Sequence, residues 1–277
     1  MENMREYWAR EAEMMRDKSG ILGERLETSG NFKENVVKAA KRVFTNNVVF
    51  GLNSVRNKTQ LFDTKYWIPQ GESKLTMIKG KLPAKALLSI IDNTSGKQTL
   101  DCAQFVQVAY LGGILFTDGE AKFNENIGDT FVLSSFGSTG VTTETLYSRG
   151  LVNEKFSIDN SYTNLTNTDQ EVLVSNAPIG SRVTVENFSI QSLAAGTDKI
   201  KKEFALSIRA RGWERENMIK IGNDLYAAFG VGYGVDMAAV KKGLLDEYYG
   251  RGRYDKQQGE ALLKWIGVSQ IEYFKRK

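Results

Sequence analysis

One cysteine and no histidine occur in 277 residues. These two counts constrain the chain more than any other feature of its sequence. A lone thiol, Cys102, cannot close a disulfide within the chain. One sulfur without imidazole cannot build a zinc site of the thiolate or imidazole kind. The fold must therefore be held by its own core, and a chain of this length buries enough apolar surface to do that. Composition agrees: 41% of residues are hydrophobic and 25% charged, as in ordinary globular proteins. The missing imidazole also excludes Ser–His–Asp and Cys–His triads.

Charge narrows the partners. The formal net charge is +4, and residues 241–277 hold nine Lys/Arg against five Asp/Glu. A nucleic-acid face carries a denser basic stripe with interleaved aromatics, so a solvated helical surface is expected and nucleic acid is not. The N-terminal stretch "MENMREYWAREAEMMRDKSG" is charged and amphipathic, with no apolar h-region. No segment approaches the ~18–20 apolar residues of a membrane span. The expectation is a soluble chain made in the cytoplasm, with no membrane partner.

The periodicity predicts helices over 2–17 and 32–47, the second with Val36, Val37, Ala40, Val43 and Phe44 facing a core. "NTSGKQ" (93–98) reads as a turn. Helix then resumes near Thr99, with Cys102, Phe105, Val106 and Ala109 on one stripe. "FTDGEAKFNENIGD" (116–129) lacks the spacing of a calcium loop and reads as a polar connector with a short helical turn. "GSTG" (137–140) reads as a plain turn. Val183 and Val185 alternate with Arg182 and Thr184, which predicts a strand. Residues 216–234 read as two short strands joined at Gly222-Asn223-Asp224, with "GVGYG" (230–234) a strand or bulge rather than a phosphate loop. Helices are expected over 236–249, 257–266 and 268–275. Helices, then strands, then helices argue for an α+β fold.

Cys102 has two readings. A free cysteine usually behaves as a small buried hydrophobe. This one, however, lies at a helix start beside Thr99 and Asp101, both good N-cap types. The positive helix end favours a thiolate there, and its amides could hold an oxyanion. With no imidazole, carboxylates are the remaining bases. A carboxylate near 4.3 is a poor match for a thiol near 8.5, so a working site needs the helix terminus on the sulfur and two acids near it. Asp101 is one; the residues alone do not name the other.

Residues 213–232, "WERENMIKIGNDLYAAFGVG", resemble a segment of the small bacterial spore-associated transglutaminases (protein-glutamine gamma-glutamyltransferases). Trp213, Glu216, Asn217, Ile219, Gly222, Asp224, Tyr226, Ala228, Gly230 and Gly232 match. Asp101-Cys102-Ala103 resembles the family's acid-Cys-Ala, with Asp for the usual Glu. "YW" (66–67), "LPAKAL" (82–87) and "GEAKFN" (119–124) follow the family order. The resemblance implies a papain-like core with the cysteine at a helix N-terminus, packed on a small antiparallel sheet with flanking helices. Residues 1–58 would be an N-terminal helical region, 59–235 the core, and 236–277 a helical extension packed on it, one domain overall. It implies Cys102 as nucleophile, Glu216 as the remote carboxylate and Asp101 as the second acid. Trp213, Asn217, Tyr226 and Phe229 are expected on the substrate side. Trp213 and Tyr226 also suit core or cleft wall, and Asn217 either orients Glu216 or closes a turn. Phe229 stands where the family has His, and residues 192–210 read as an inserted loop or hairpin.

The implied reaction passes a protein glutamine acyl group through a thioester to a lysine amine, with no cofactor or metal. Deamidation by the same site, or an inactive protein-binding homologue, are the alternatives. The partners are proteins offering Gln and Lys, in a sporulating cell or after export as an effector by a route that needs no signal peptide.

Overall fold

The computed structural model describes residues 30–50, 62–70, 74–94, 96, 98–129, 131–134, 146, 150–159, 174–187, 215–249, 263 and 266–276. The expected helix over 2–17, the turn at 137–140, the 192–210 insertion and nearly all of 257–266 lie outside these residues. The chain divides into two compact units, one of Ser29–Phe156 with Phe274–Lys277, the other built on Ser157–Tyr273. No helix among the described residues is long and apolar enough to cross a membrane.

In chain order, the first unit holds α1 (Gly30–Thr45), β1 (Val49–Phe50), β2 (Trp67–Gln70), β3 (Lys74–Met77), α2 (Pro83–Ile91), β4 (Thr99–Leu100), α3 (Cys102–Asp118), α4 (Glu120–Ile127) and β5 (Val132–Ser134). α1 buries Phe32, Val36, Ala39, Ala40 and Val43, one stripe at helical spacing; of the residues expected there, Val37 and Phe44 are half-buried. α2 starts with a proline at its first turn, where the missing N–H costs nothing. β2, β3 and β5 form an antiparallel sheet in that order. Trp67 joins this sheet to α2. Its indole donates to the Ala86 carbonyl at 3.1 Å, and its ring meets Phe131 edge-on at 5.1 Å.

α3 is the axis of this unit. From Cys102 to Leu115 every residue except Ala103 is buried, so the helix lacks the single apolar stripe of a surface helix. The side chain of Gln107 accepts from the Ser134 backbone amide at 3.1 Å and donates to the Ser134 carbonyl at 2.5 Å, fixing α3 to β5. Tyr110 meets Phe274 edge-on at 4.9 Å. Arg276 bonds the Leu151 carbonyl at 2.5 Å and pairs with Asp118 at the end of α3. The last residues of the chain therefore belong to the core around α3.

The second unit carries most of a six-stranded sheet, ordered β10-β9-β8-β7-β11-β6. Its strands are β6 (Glu154–Asp159), β7 (Arg182–Asn187), β8 (Arg215–Gly222), β9 (Leu225–Ala228), β10 (Gly232–Val235) and β11 (Ile266–Lys275), with α5 (Met237–Tyr249) between β10 and β11. The pairings from β10 across to β11 are antiparallel. Val183, Val185, Met218, Tyr226, Ala228, Val268 and Ile271 pack with Val240, Leu244 and Leu245 of α5 as its core.

Four expectations are corrected. Residues 268–275 are a strand, not a helix: β11 is buried on both faces and carries a bulge between Val268 and Gln270. The bulge breaks the two-residue alternation, and Val268, Ile271 and Phe274 then mimic a helical spacing. Thr99 belongs to β4, paired in parallel with β1, and the helix begins three residues later. The 116–129 connector contains a two-turn helix, α4, packed through Phe123 and Ile127. The sheet, expected to be small, has six strands. The β8–β9 hairpin and the bulge at Tyr233 stand as expected.

α1 and α3 touch where α3 has glycines. A Cβ on Gly112 would lie 2.5 Å from the Ala39 Cβ and 2.9 Å from Ile91 Cδ1. Gly112→Ala is expected to destabilise the chain by about 1–3 kcal/mol through overpacking, although alanine is by itself the better helix former. Denaturant unfolding measures this, and an unchanged or raised midpoint would contradict the close packing.

Candidate active site

Cys102 is the first helical residue of α3, and Asp101 is its N-cap in extended backbone (φ −88°, ψ 173°). The Asp101 carboxylate accepts from the Gln104 amide at 2.8 Å, and the Gln104 side chain accepts from the Asp101 amide at 3.2 Å. This is a reciprocal capping box. The sulfur thus sits at the positive end of the helix macrodipole, where a thiolate is favoured. Cys102 is 2% exposed and Asp101 1%. Both traits weighed from the sequence, burial and a place at the helix start, are present together. Asp101-Cys102-Ala103-Gln104 has the spacing of a capping box, so Gln104 is the sign that names Asp101 over Thr99.

Glu216 lies in β8 opposite Val185 of β7 and is 1% exposed. Its Oε1 accepts from the Gly230 amide at 3.1 Å. Glu216 therefore does not face solvent. Glu216 and Cys102 belong to different units.

The expected substrate-side residues are placed as follows. Trp213 lies outside the described residues. Tyr226 is wholly buried in the second unit's core, the core alternative for this ring. Burial, helped by the Asp224 carboxylate, pushes its phenol well above the ordinary tyrosine range, so it stays protonated. Phe229 is buried in the turn between β9 and β10. Asn217 follows Glu216 and so points to the other sheet face. There its Oδ1 accepts from Arg182 Nε at 3.1 Å, Arg182 Nη2 at 2.6 Å and Thr184 Oγ1 at 3.0 Å. Arg182 also pairs with buried Glu272 of β11 at 2.8 Å. Asn217 thus ties β7, β8 and β11 together on the face away from Glu216. Arg182, read from sequence only as the polar half of an alternating strand, is the centre of this network.

Lys220, on the same face of β8 as Glu216, is 3% exposed. Its ammonium donates to the carbonyls of Val174, Ser175 and Ala177 at 2.7–2.9 Å. Burial lowers its pKa, and Asp224 acts against that. No group of three or more His, Cys, Asp or Glu suited to a metal ion occurs among the described residues.

Two predictions test these assignments. Asp101→Ala is expected to cost about 1 kcal/mol as a lost N-cap, whereas Asp101→Asn, an equally good cap, keeps most of that stability. Thermal or denaturant melting of the pair reads the difference; equal losses would sink the capping role. Asn217→Ala is expected to cost about 1–3 kcal/mol by stripping the acceptor from Arg182 and Thr184, while leaving KM for the protein substrate within about twofold. A large KM rise without loss of stability would return Asn217 to the substrate side.

A model of the family protein-glutamine gamma-glutamyltransferase matches residues 23–171. Asp101 and Cys102 fall inside that match; Glu216 falls outside it. The fold is similar to that of a transglutaminase from Geobacillus stearothermophilus without its C-terminal extension. The two superpose with a TM-score of 0.56 at 12% identity, over 90% of this chain and 92% of that one. At this identity the likeness speaks for the fold alone. No curated protein matches the sequence.

Proposed function

The chain belongs to the protein-glutamine gamma-glutamyltransferase family, and from that premise we propose a cysteine–carboxylate acyltransferase on a papain-like core. Its substrates are proteins offering glutamine and lysine side chains. Cys102 is the nucleophile, Glu216 the remote carboxylate, and Asp101 the second acid beside the sulfur. The observation that carries the reading is the setting of Cys102: the sole thiol of the chain opens a capped, buried helix. A purely structural cysteine has no need of that position.

In the first half-reaction the thiolate adds to the carboxamide carbon of a glutamine. The helix-end amides stabilise the oxyanion. The C–N bond breaks, ammonia leaves with the proton taken from the thiol, and a thioester remains. In the second half a lysine amine adds to the thioester carbonyl, the C–S bond breaks, and the amine's proton returns through the carboxylate to the sulfur. The products are an isopeptide and the free thiol. In this mechanism carboxylates carry both protons in place of an imidazole, which is why a buried glutamate matters here.

Incubation with a glutamine-donor protein and a fluorescent amine tests this. Cys102→Ser and Glu216→Gln are each expected to lower amine incorporation at least about 100-fold, the usual worth of a nucleophile or a general base. Glutamine still accepts from Gly230, so the fold of Glu216→Gln should hold by circular dichroism. Ammonia release without incorporation would convert the reading to deamidation. Full activity of Cys102→Ser would end it.

A further inference from the structure

The ladder between β8 and β9 pairs Lys220 with Tyr226, Ile219 with Ala227 and Met218 with Ala228, and ends there. Continued by two residues, it would set Gly230 opposite Glu216. Instead the chain turns away over Phe229–Val231 into β10, and the Val231 amide closes the turn on the Ala228 carbonyl at 2.9 Å. The Gly230 amide then meets the Glu216 side chain, 3.1 Å from Oε1. We infer that Gly230 is a positioning residue whose backbone amide orients the Glu216 carboxylate and holds it ionised. This rests on Glu216 being the remote catalytic carboxylate.

Two physical effects meet at this bond. The first is geometric. A backbone donor has no side-chain rotamers and does not titrate, so it fixes one carboxylate oxygen as firmly as the hydrogen-bonded turn holds Gly230. General base catalysis rewards such fixed geometry. The second is electrostatic. Glu216 is 1% exposed, and burial favours the neutral acid, whereas an N–H donated to a carboxylate favours the anion. A base must be ionised to work, so the amide restores what burial removes. Among the described residues, the charged or titratable neighbours on this sheet face are Lys220 of β8 and Tyr226 of β9. β7 and β11 present Val183, Val185, Val268 and Ile271 there. α5, packed on the same face, carries Lys241, Lys242 and Asp246, the last two paired at 2.6 Å. The Lys220 ammonium is held by three carbonyls.

The test is the pH profile of kcat/KM for fluorescent-amine incorporation by the full chain. Gly230→Pro removes the N–H; Gly230→Ala keeps it. The acid limb of Gly230→Pro is expected to move up by about one to two pH units, the worth of a hydrogen bond to a charged group. KM for the donor protein should stay put, and Gly230→Ala should keep the wild-type limb. If Gly230→Pro does not fold, a semisynthetic chain with glycolic acid at position 230, an ester oxygen in place of the N–H, gives the same reading. A wild-type acid limb in the chain lacking this N–H overturns the inference. Glu216→Gln is assayed alongside. If it is inactive while the limb stays put, only the role of Gly230 falls. If it turns over normally, the reading of Glu216 falls, and the inference with it.

Discussion

The capped start of α3 is the constraint on which the first unit depends. A helix buried on almost every side cannot be adjusted by sliding, because each neighbour already touches it. Gly112 admits Ala39, Gln107 holds β5, and Arg276 holds the far end at Asp118. The position of residue 102 is therefore set by the whole unit rather than by a local loop. The capping box completes this from the other side. It fixes the backbone entering the helix, so the first helical residue has one conformation. A reactive thiol placed there inherits both the rigidity and the helix field.

In the second unit the same logic is built from a sheet. β8 has strands on both sides, and its two faces carry different chemistry. One face packs Met218 against valines and α5, with Glu216 and Lys220 held among them by backbone groups. The other bears the Arg182–Asn217–Glu272 network. Burying a carboxylate or an ammonium without partners costs several kcal/mol. Each buried charge described here is accordingly met by backbone donors, backbone carbonyls or an opposite charge. Such arrangements tolerate substitution poorly, because removing one partner strands the other.

Much of this was legible in the sequence, and the misses share a cause. α1, the β8–β9 hairpin and the helix at Cys102 follow from spacing and turn residues. The strand β7 follows from alternation, yet Arg182 and Thr184, its polar half, are needed for the interior rather than for solvent. β11 failed for a related reason. A strand buried on both faces has no alternation to show, and its bulge shifted the remaining apolar residues into a helical phase. Asn217 is ambiguous in sequence because one strand position decides between two faces, and only the register settles which. Gly230 is marked in the sequence only by its match to the family segment; the role inferred for it leaves no sign, because every residue but proline possesses a backbone N–H.

The absence of histidine then takes on a different meaning. An imidazole base orients itself through its second nitrogen and titrates near neutrality, so it tolerates imprecise surroundings. A carboxylate can be oriented through its second oxygen, but it does not titrate near neutrality. Its match to a thiol must come from its environment: burial on one side of the balance, donated hydrogen bonds and helix fields on the other. A site of this kind cannot be assembled from mobile side chains. It has to be supported by parts that do not titrate, namely a helix end and a strand turn. Those are the features found at Cys102 and at Glu216, each within its own unit. Phe229, where the resemblance would place a histidine, sits in the turn that delivers the Gly230 amide. In the proposed mechanism the Glu216 carboxylate carries the proton that an imidazole carries elsewhere, and the Gly230 amide holds that carboxylate in place.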